Sequence, residues 1–203
     1  MADAREHLEV LTLNASGDRC LSQGRLQESA AAWERSLGIY SAQAGTGFKL
    51  AYVCEALGRF EQAVAHYWSA WELEPRRLPV LLAWASLLER LGRAAEAAPA
   101  LESASRDWPG EAELELRLAA ALEARGDLKG GEAALRRVPM GHPLKADALA
   151  RLAWILARKG ETSAAAALFR EALLSLRGGL ERALAEAWLA QHEGRLDEAL
   201  GHY

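Results

Sequence analysis

Apolar and small residues return along this chain in columns thirty-four residues apart, and no insertion breaks the register. A glycine marks the frame, at Gly24, Gly58, Gly92, Gly126, Gly160 and Gly194. Seven residues before it stands a small residue (Gly17, Ala51, Ala85, Ala119, Ala153, Ala187), and five after it another (Ser29, Ala63, Ala97, Gly131, Ala165, Ala199). Nine after it comes a large apolar group (Trp33, Tyr67, Leu101, Leu135, Phe169, Tyr203), and twelve after it a small or slim one (Ser36, Ala70, Ala104, Val138, Ala172). Small side chains at matched positions let two helices approach closely, and large residues alternating with small ones suit a ridge that interlocks with the next unit. Pro75, Pro109 and Pro143 recur at the same step, where a proline ends one helix and admits the next. The pattern therefore predicts a unit of helix, glycine turn, helix and stop, repeated in an array of stacked units.

These columns resemble the tetratricopeptide repeat family, most fully in the segment GRFEQAVAHYWSAWELEP at residues 58–75. With Val10, Ala44, Leu78, Ala112, Ala146 and Leu180 as first positions, the chain reads as one array. Its repeats are 10–43, 44–77, 78–111, 112–145 and 146–179, followed by a partial repeat 180–203. The family pattern is departed from at Gly131, at Ser41 and Arg177 in place of proline, and at Ser29 and Ser36 where alanine is usual. The resemblance implies an all-α fold, a right-handed superhelical solenoid of antiparallel helix pairs. Composition agrees: half of the residues are hydrophobic (51%) and a quarter charged (26%), with much Ala, Leu, Glu and Arg and few β-branched residues, which favours helix and leaves strands unexpected. In such an array each unit touches only its neighbours, so neither a central core nor a deep pocket is expected.

The net charge of −4, with both signs interspersed, leaves no electrostatic footprint for nucleic acid. No apolar run reaches the length of roughly 18 residues that spans a bilayer, and the start MADAREHLEV is acidic and helical, unlike a secretory leader. A cytoplasmic protein without membrane insertion is expected. Cys20 and Cys54 lie one period apart in a column otherwise filled by Leu88, Leu122, Leu156 and Ala190. Packed helices hold equivalent Cα atoms about 8–10 Å apart, beyond the reach of a disulfide, so buried thiols are expected there. His7, His66, His142, His192 and His202 show no ligand spacing, and no metal or other cofactor is expected. No phosphate-binding glycine loop is present, because each glycine closes a helical hairpin instead of following a strand. No carboxylate pair is driven into an apolar pocket, so no catalytic residue is assigned and an enzyme is not expected.

In the family this chain resembles, positions two, five, nine, twelve and thirteen of each first helix face a bound segment in a concave groove. The polar and aromatic residues at those positions are Asn14, Asp18, Phe48, Tyr52, Glu55, Ser86, Glu89, Arg90, Glu123, Trp154, Arg158, Trp188 and His192. Members that grip the C-terminal carboxylate of chaperones carry lysine at position five and asparagine at position nine. Here position five is Asn14, Phe48, Leu82, Leu116, Ala150 and Leu184, and position nine is Asp18, Tyr52, Ser86, Ala120, Trp154 and Trp188. The carboxylate clamp is missing. Tyr52, Trp154 and Trp188 either form a recognition stripe, since aromatics concentrate at binding hot spots, or fill space between first helices. Glu55, Glu89 and Glu123 form a carboxylate column that suits a basic partner segment, or else pairs locally, Glu55 with Arg59 and Glu89 with Arg93. Trp68 stands in a column of Glu34, Glu102, Arg136 and Arg170 and is expected to face outward.

The array is not uniform. Gly130 and Gly131 open the second helix of the fourth repeat at about 1 kcal/mol each relative to alanine, and Pro139 cuts it short, so a hinge is expected there. Gly45 and Gly47 make a second soft joint. At the C-terminal end, Leu189, Leu196 and Leu200 are expected to be exposed for want of a polar cap, either because the natural protein continues or because this end forms a homodimer. The reading is an interaction scaffold that binds a peptide or helical segment of a protein partner. The alternative is a substrate-recruiting or oligomerisation arm of a larger enzyme or assembly that continues beyond residue 203.

Overall fold

The computed structural model describes residues 4–176 and 179–194, which contain eleven α-helices, one short 3-10 turn and no strand. The fold is an all-α array of helix pairs. The chain divides into two compact units, residues 1–92 and 93–203. Among the described residues no helix is long and apolar enough to cross a membrane.

The first unit holds α1 (Ala4–Ser22), α2 (Leu26–Ile39), α3 (Ala44–Ala56), α4 (Phe60–Leu73) and α5 (Leu78–Arg90). The helical hairpins turn at the periodic glycines because the chain must leave the helix through a left-handed residue. Gly58 has φ +73°, and around it the Leu57 amide donates to Val53 O (3.0 Å) and the Arg59 amide to Cys54 O (2.8 Å). These bonds satisfy the last carbonyls of α3, which no intrahelical donor reaches. The small columns are buried as their spacing predicts: Ser29, Ala51 and Ala63 are closed to solvent, as are the large residues Trp33 and Tyr67. Ser29 Oγ donates to Gly17 O (2.9 Å), which joins α2 to α1 and accounts for serine where alanine is usual. Gly47 is buried too, and a Cβ there would meet Ala70 Cβ at 3.6 Å, an ordinary contact.

Cys20 and Cys54 are free, buried thiols, as expected. Burial, helped by Glu34, pushes the Cys54 thiol above its ordinary pKa, while Arg59 opposes the shift. Trp68 corrects an expectation. It is half-buried and packs on Trp84 of α5, with ring centroids 4.7 Å apart, because the aromatic at this point of α4 meets a second indole where its column mates carry charge.

His66, half-buried on α4, has its pKa lowered from 6.5 chiefly by burial, with Glu34 pulling the other way. The unfolded chain then holds the proton more tightly than the folded one. The stabilising contribution is fully present above pH 6.5 and is lost as pH falls through 6.5 towards the lowered folded value. Urea midpoints measured between pH 8 and pH 5 are expected to fall with acidification, and His66→Gln to flatten that slope.

The second unit begins with a 3-10 turn (Ala94–Ala97) followed by α6 (Ala98–Asp107), α7 (Ala112–Ala124), α8 (Leu128–Arg137), α9 (Lys145–Arg158), α10 (Thr162–Leu173) and α11 (Leu180–His192). Pro99 explains the split second helix of the third repeat. It occupies the first turn of α6, where its missing amide is tolerated, and it removes a donor that a continuous helix through residues 94–107 would use. Helix α8 carries a side-chain N-cap, Asp127 Oδ1 accepting from the Gly130 amide at 2.9 Å. Gly131 is buried, and a Cβ there would come within 3.3 Å of Ile155 Cδ1 and 3.5 Å of Ala119 O. The family's usual alanine would fit here only with a shift of a few tenths of an ångström by the Ile155 side chain of α9. Helix α8 still ends at Arg137, ahead of Pro139. Hydrogen exchange over residues 128–140 is expected to be faster than over 60–73, and equal protection would refute the hinge.

Contrary to expectation, Leu189 is only 6% exposed. With Ala185 and Trp188 it forms the i, i+3, i+4 stripe that α11 turns towards the rest of its unit. Leu196 and Leu200, and with them the end expected to dimerise, lie outside the described residues, as does His202.

The core of this unit also holds a charged pair. Glu115 on α7 is 0% exposed, at a position held in other repeats by Leu13, Gly47, Leu81, Leu149 and Ala183. Its carboxylate accepts from Arg137 Nε (2.9 Å) and Nη2 (2.8 Å), from Ser105 Oγ (2.8 Å) and more distantly from the Gly110 amide (3.4 Å). A buried charge needs this full set of donors. The cluster ties α6, the loop after it, α7 and α8 together.

Candidate functional site

In the first unit the candidate residues lie on a face built by the first helices α1, α3 and α5. Their side chains stitch the helices to one another. Asp18 Oδ1 on α1 accepts from Lys49 Nζ on α3 at 2.6 Å, and Asn14 Nδ2 donates to Gln43 Oε1, just ahead of α3, at 2.8 Å. Asn14 Oδ1 is buried without a hydrogen-bond partner. Glu55 near the end of α3 accepts from Arg90 near the end of α5 and from the Tyr67 hydroxyl of α4 at 3.1 Å. Burial first, and then the Glu55 carboxylate, push the Tyr67 hydroxyl above its ordinary pKa, so it remains a donor.

The expected local pairing of the carboxylate column takes a different form at Glu55. Arg59 stands 3.5 Å from Glu34 and Arg93 binds Glu96 (2.6 Å), while Glu55 engages the arginine thirty-five residues ahead, in the following repeat. Turn geometry decides this. After the left-handed glycine, Arg59 belongs to the second-helix side of the hairpin, whereas Arg90 ends a helix that runs beside α3.

Phe48 is half-buried, its ring centroid 5.7 Å from that of Tyr67, and the Arg77 guanidinium lies over the ring at 6.0 Å. Tyr52 is 58% exposed. It sits one turn from Lys49 and one turn from Glu55 on α3, between the two ion pairs. Ser86 and Glu89 on α5 are half-buried, and Glu89 is engaged in a further interaction. Lys49 and Arg77 contribute to this face although they stand outside the five groove positions. Lys49 is legible in the sequence only as a cation one helix away from Asp18, and Arg77 only as the last residue before α5.

The second unit offers a more closed surface. Trp154 on α9 packs edge-on against Phe169 of α10 (5.1 Å), Phe169 lies 4.9 Å from Trp188 of α11, and His192 stacks on Trp188 at 3.8 Å. Trp154 is half-buried, whereas Trp188 is only 7% exposed. The three position-nine aromatics thus divide: Trp188 fills space, Tyr52 is open, and Trp154 does some of both. Glu123 and Arg158 repeat the Glu55–Arg90 relation at 3.7 Å. Lys159 binds both Glu132 and Glu161 and has its pKa raised by them, while Glu132 is held below the usual carboxylate range by Lys159 and then Arg136.

Among the described residues no group of three or more His, Cys, Asp or Glu side chains could hold a metal ion. The arrangement offers what contact chemistry needs: an open aromatic ring, half-open apolar neighbours and a frame of neutralised charges.

Two models described as tetratricopeptide repeat match the sequence, over residues 88–155 and 132–179. No curated protein sequence matches it. Among solved structures the chain is similar to YrrB, described as a TPR protein with an unusual peptide-binding site. The identity is 18% and the TM-score 0.75, over 97% of this chain and 100% of that one. It is similar to MamA, residues 41 to the end, from Desulfovibrio magneticus RS-1 (18% identity, TM-score 0.68, 81% of this chain and 93% of that one). It is also similar to PilW, described as a widely conserved type IV pilus biogenesis factor (16%, 0.67, 99% and 91%). At these identities the likeness is one of fold.

Proposed function

The chain belongs to the tetratricopeptide repeat family, and from that premise we propose that it is a non-catalytic interaction scaffold that holds a peptide or helical segment of a partner protein on its first-helix face. The observation that carries the proposal is Tyr52, a large aromatic left 58% exposed on a face whose neighbouring side chains are otherwise engaged with one another. Aromatic rings of this kind give large contact area for little lost rotamer freedom and dominate binding energy where they are found at interfaces. The proposed contact residues remain Asn14, Asp18, Phe48, Tyr52, Glu55, Ser86, Glu89 and Arg90 in the first unit, and Glu123, Trp154, Arg158, Trp188 and His192 in the second, the rings supplying the binding energy and the already paired charges such as Asp18 and Glu55 only bordering the segment. Trp188 acts there mainly by supporting Trp154 through Phe169. The peptide-binding site in the description of YrrB supports the general mode and says nothing of the partner here.

The test is a capture experiment with three forms of the chain: wild type, a Tyr52→Ala, Trp154→Ala variant of unchanged helicity, and a Glu28→Ala control on the second-helix side. The expected result is that a partner held by wild type and control is lost at least about tenfold from the aromatic variant. Equal capture by all three would remove the first-helix face as the site.

A further inference from the structure

The charges of the first unit decide what kind of segment its face can hold. Asp18 is taken by Lys49 at 2.6 Å, Glu55 by Arg90 and by the Tyr67 hydroxyl, and Glu89 is engaged as well. The cations are equally committed, and Arg77 is held by Glu74 at 3.2 Å while lying over Phe48. A lysine or arginine arriving from a partner would have to break one ion pair to make another. At such exposed positions that exchange is nearly neutral, because exposed pairs are each worth little. An acidic segment meets the same obstacle from the opposite sign.

What remains available is apolar. Tyr52 is 58% exposed, Leu11, at position two of the first repeat, is 52% exposed, and Phe48 and Leu82 are half-buried. They stand at groove positions two, five and nine of α1, α3 and α5, the helices that the closed ion pairs join. A segment that sets an aromatic or branched aliphatic side chain against Tyr52 gains burial without disturbing any pair.

We infer that the occupant of this face is a segment of low net charge that binds through aromatic and aliphatic side chains, and that neither a basic nor an acidic peptide is its natural ligand. This rests on the reading of the first-helix face as a binding surface and adds the chemistry of the partner to it. Because the recognition is apolar, binding depends only weakly on ionic strength.

The experiment uses the full chain, immobilised and panned against a displayed library of random dodecapeptides. Selected peptides are then synthesised and titrated calorimetrically against wild type, Tyr52→Ala and Glu55→Gln. Expected are peptides enriched in Phe, Tyr, Trp and Leu, with Kd changing less than about threefold between 50 and 500 mM salt. Tyr52→Ala should weaken them at least about tenfold, and Glu55→Gln less than about twofold. Peptides rich in either charge, weakened about tenfold or more by salt and sensitive to Glu55→Gln, would overturn this inference and leave the face a binding surface. Peptides indifferent to Tyr52→Ala, or a panning that enriches none, would overturn both.

Discussion

Replacing Arg137 with alanine is expected to destabilise the second unit by about 2–4 kcal/mol, among the larger effects of any single substitution in this chain. The reason is the carboxylate it leaves behind. Glu115 is 0% exposed, and Arg137 supplies two of its charge-assisted hydrogen bonds, at 2.8 and 2.9 Å. Removing one partner of a buried pair commonly costs about 3–5 kcal/mol, because the remaining charge is uncompensated. The lower end applies here, since Arg137 is itself 42% exposed and lines an open cleft of about 410 Å³, through which water reaches part of the vacated space. Glu115→Leu is expected to behave quite differently. It restores the leucine that Leu13, Leu81 and Leu149 supply at the same position of other repeats, and it frees Arg137 to water, so its effect should stay within about 1 kcal/mol of wild type. The double variant should then recover most of what Arg137→Ala loses, a coupling of about 2 kcal/mol in urea denaturation followed by circular dichroism. Additive losses would mean that Arg137 acts through its packing and not through the charge it neutralises.

The fold was legible because its determinants are local and repeated. A glycine with positive φ at every hairpin, small residues at every close approach and a large residue nine positions on can each be read from a column, and the helices follow. Side-chain partnership was less legible, for a geometric reason. The register that brings Glu55 to Arg90 depends on how one repeat is laid against the next, and sequence proximity favoured Arg59, which the glycine turn carries to the other side of the hairpin. The column of Trp68 points outward because its other members are charged, and nothing in that column reveals that Trp84 stands on the neighbouring helix. Glu115 was legible in principle, as a carboxylate in a column of apolar and small residues. What exposed it was comparison down that column, not the motif around it. Among the candidate contact residues, the groove positions could be assigned from the repeat frame, but exposure could not. Tyr52 and Trp188 occupy equivalent places and differ in burial: Phe169 and His192 pack on Trp188, while Tyr52 stays 58% exposed between Lys49 and Glu55 on α3.

The same columns make a sharp expectation for Gly17. Alanine fills this position in every other repeat, so a consensus argument predicts that Gly17→Ala stabilises the first helix, by up to about 1 kcal/mol of intrinsic propensity. The structure predicts the opposite. A Cβ on Gly17 would stand 2.6 Å from both Cδ1 and Cε2 of Trp33, a fully buried indole whose Nε1 has no hydrogen-bond partner and which cannot swing aside. Overpacking of this kind costs about 1–3 kcal/mol, occasionally more, and the Ser29 bond to Gly17 O (2.9 Å) fixes the two helices at the distance that creates the clash. The net expectation is a loss of about 1–2 kcal/mol in urea denaturation, against the propensity gain. Trp33→Leu alone leaves a cavity and is destabilising by about 2–4 kcal/mol. Combined with Gly17→Ala it installs the pairing of the fourth repeat, Ala119 with Leu135, so the double variant should be more stable than the sum of the two losses by at least about 1 kcal/mol. A neutral or stabilising Gly17→Ala would show that α1 can move away from α2 without loss. In that case the glycine of the first repeat would owe nothing to the tryptophan opposite it.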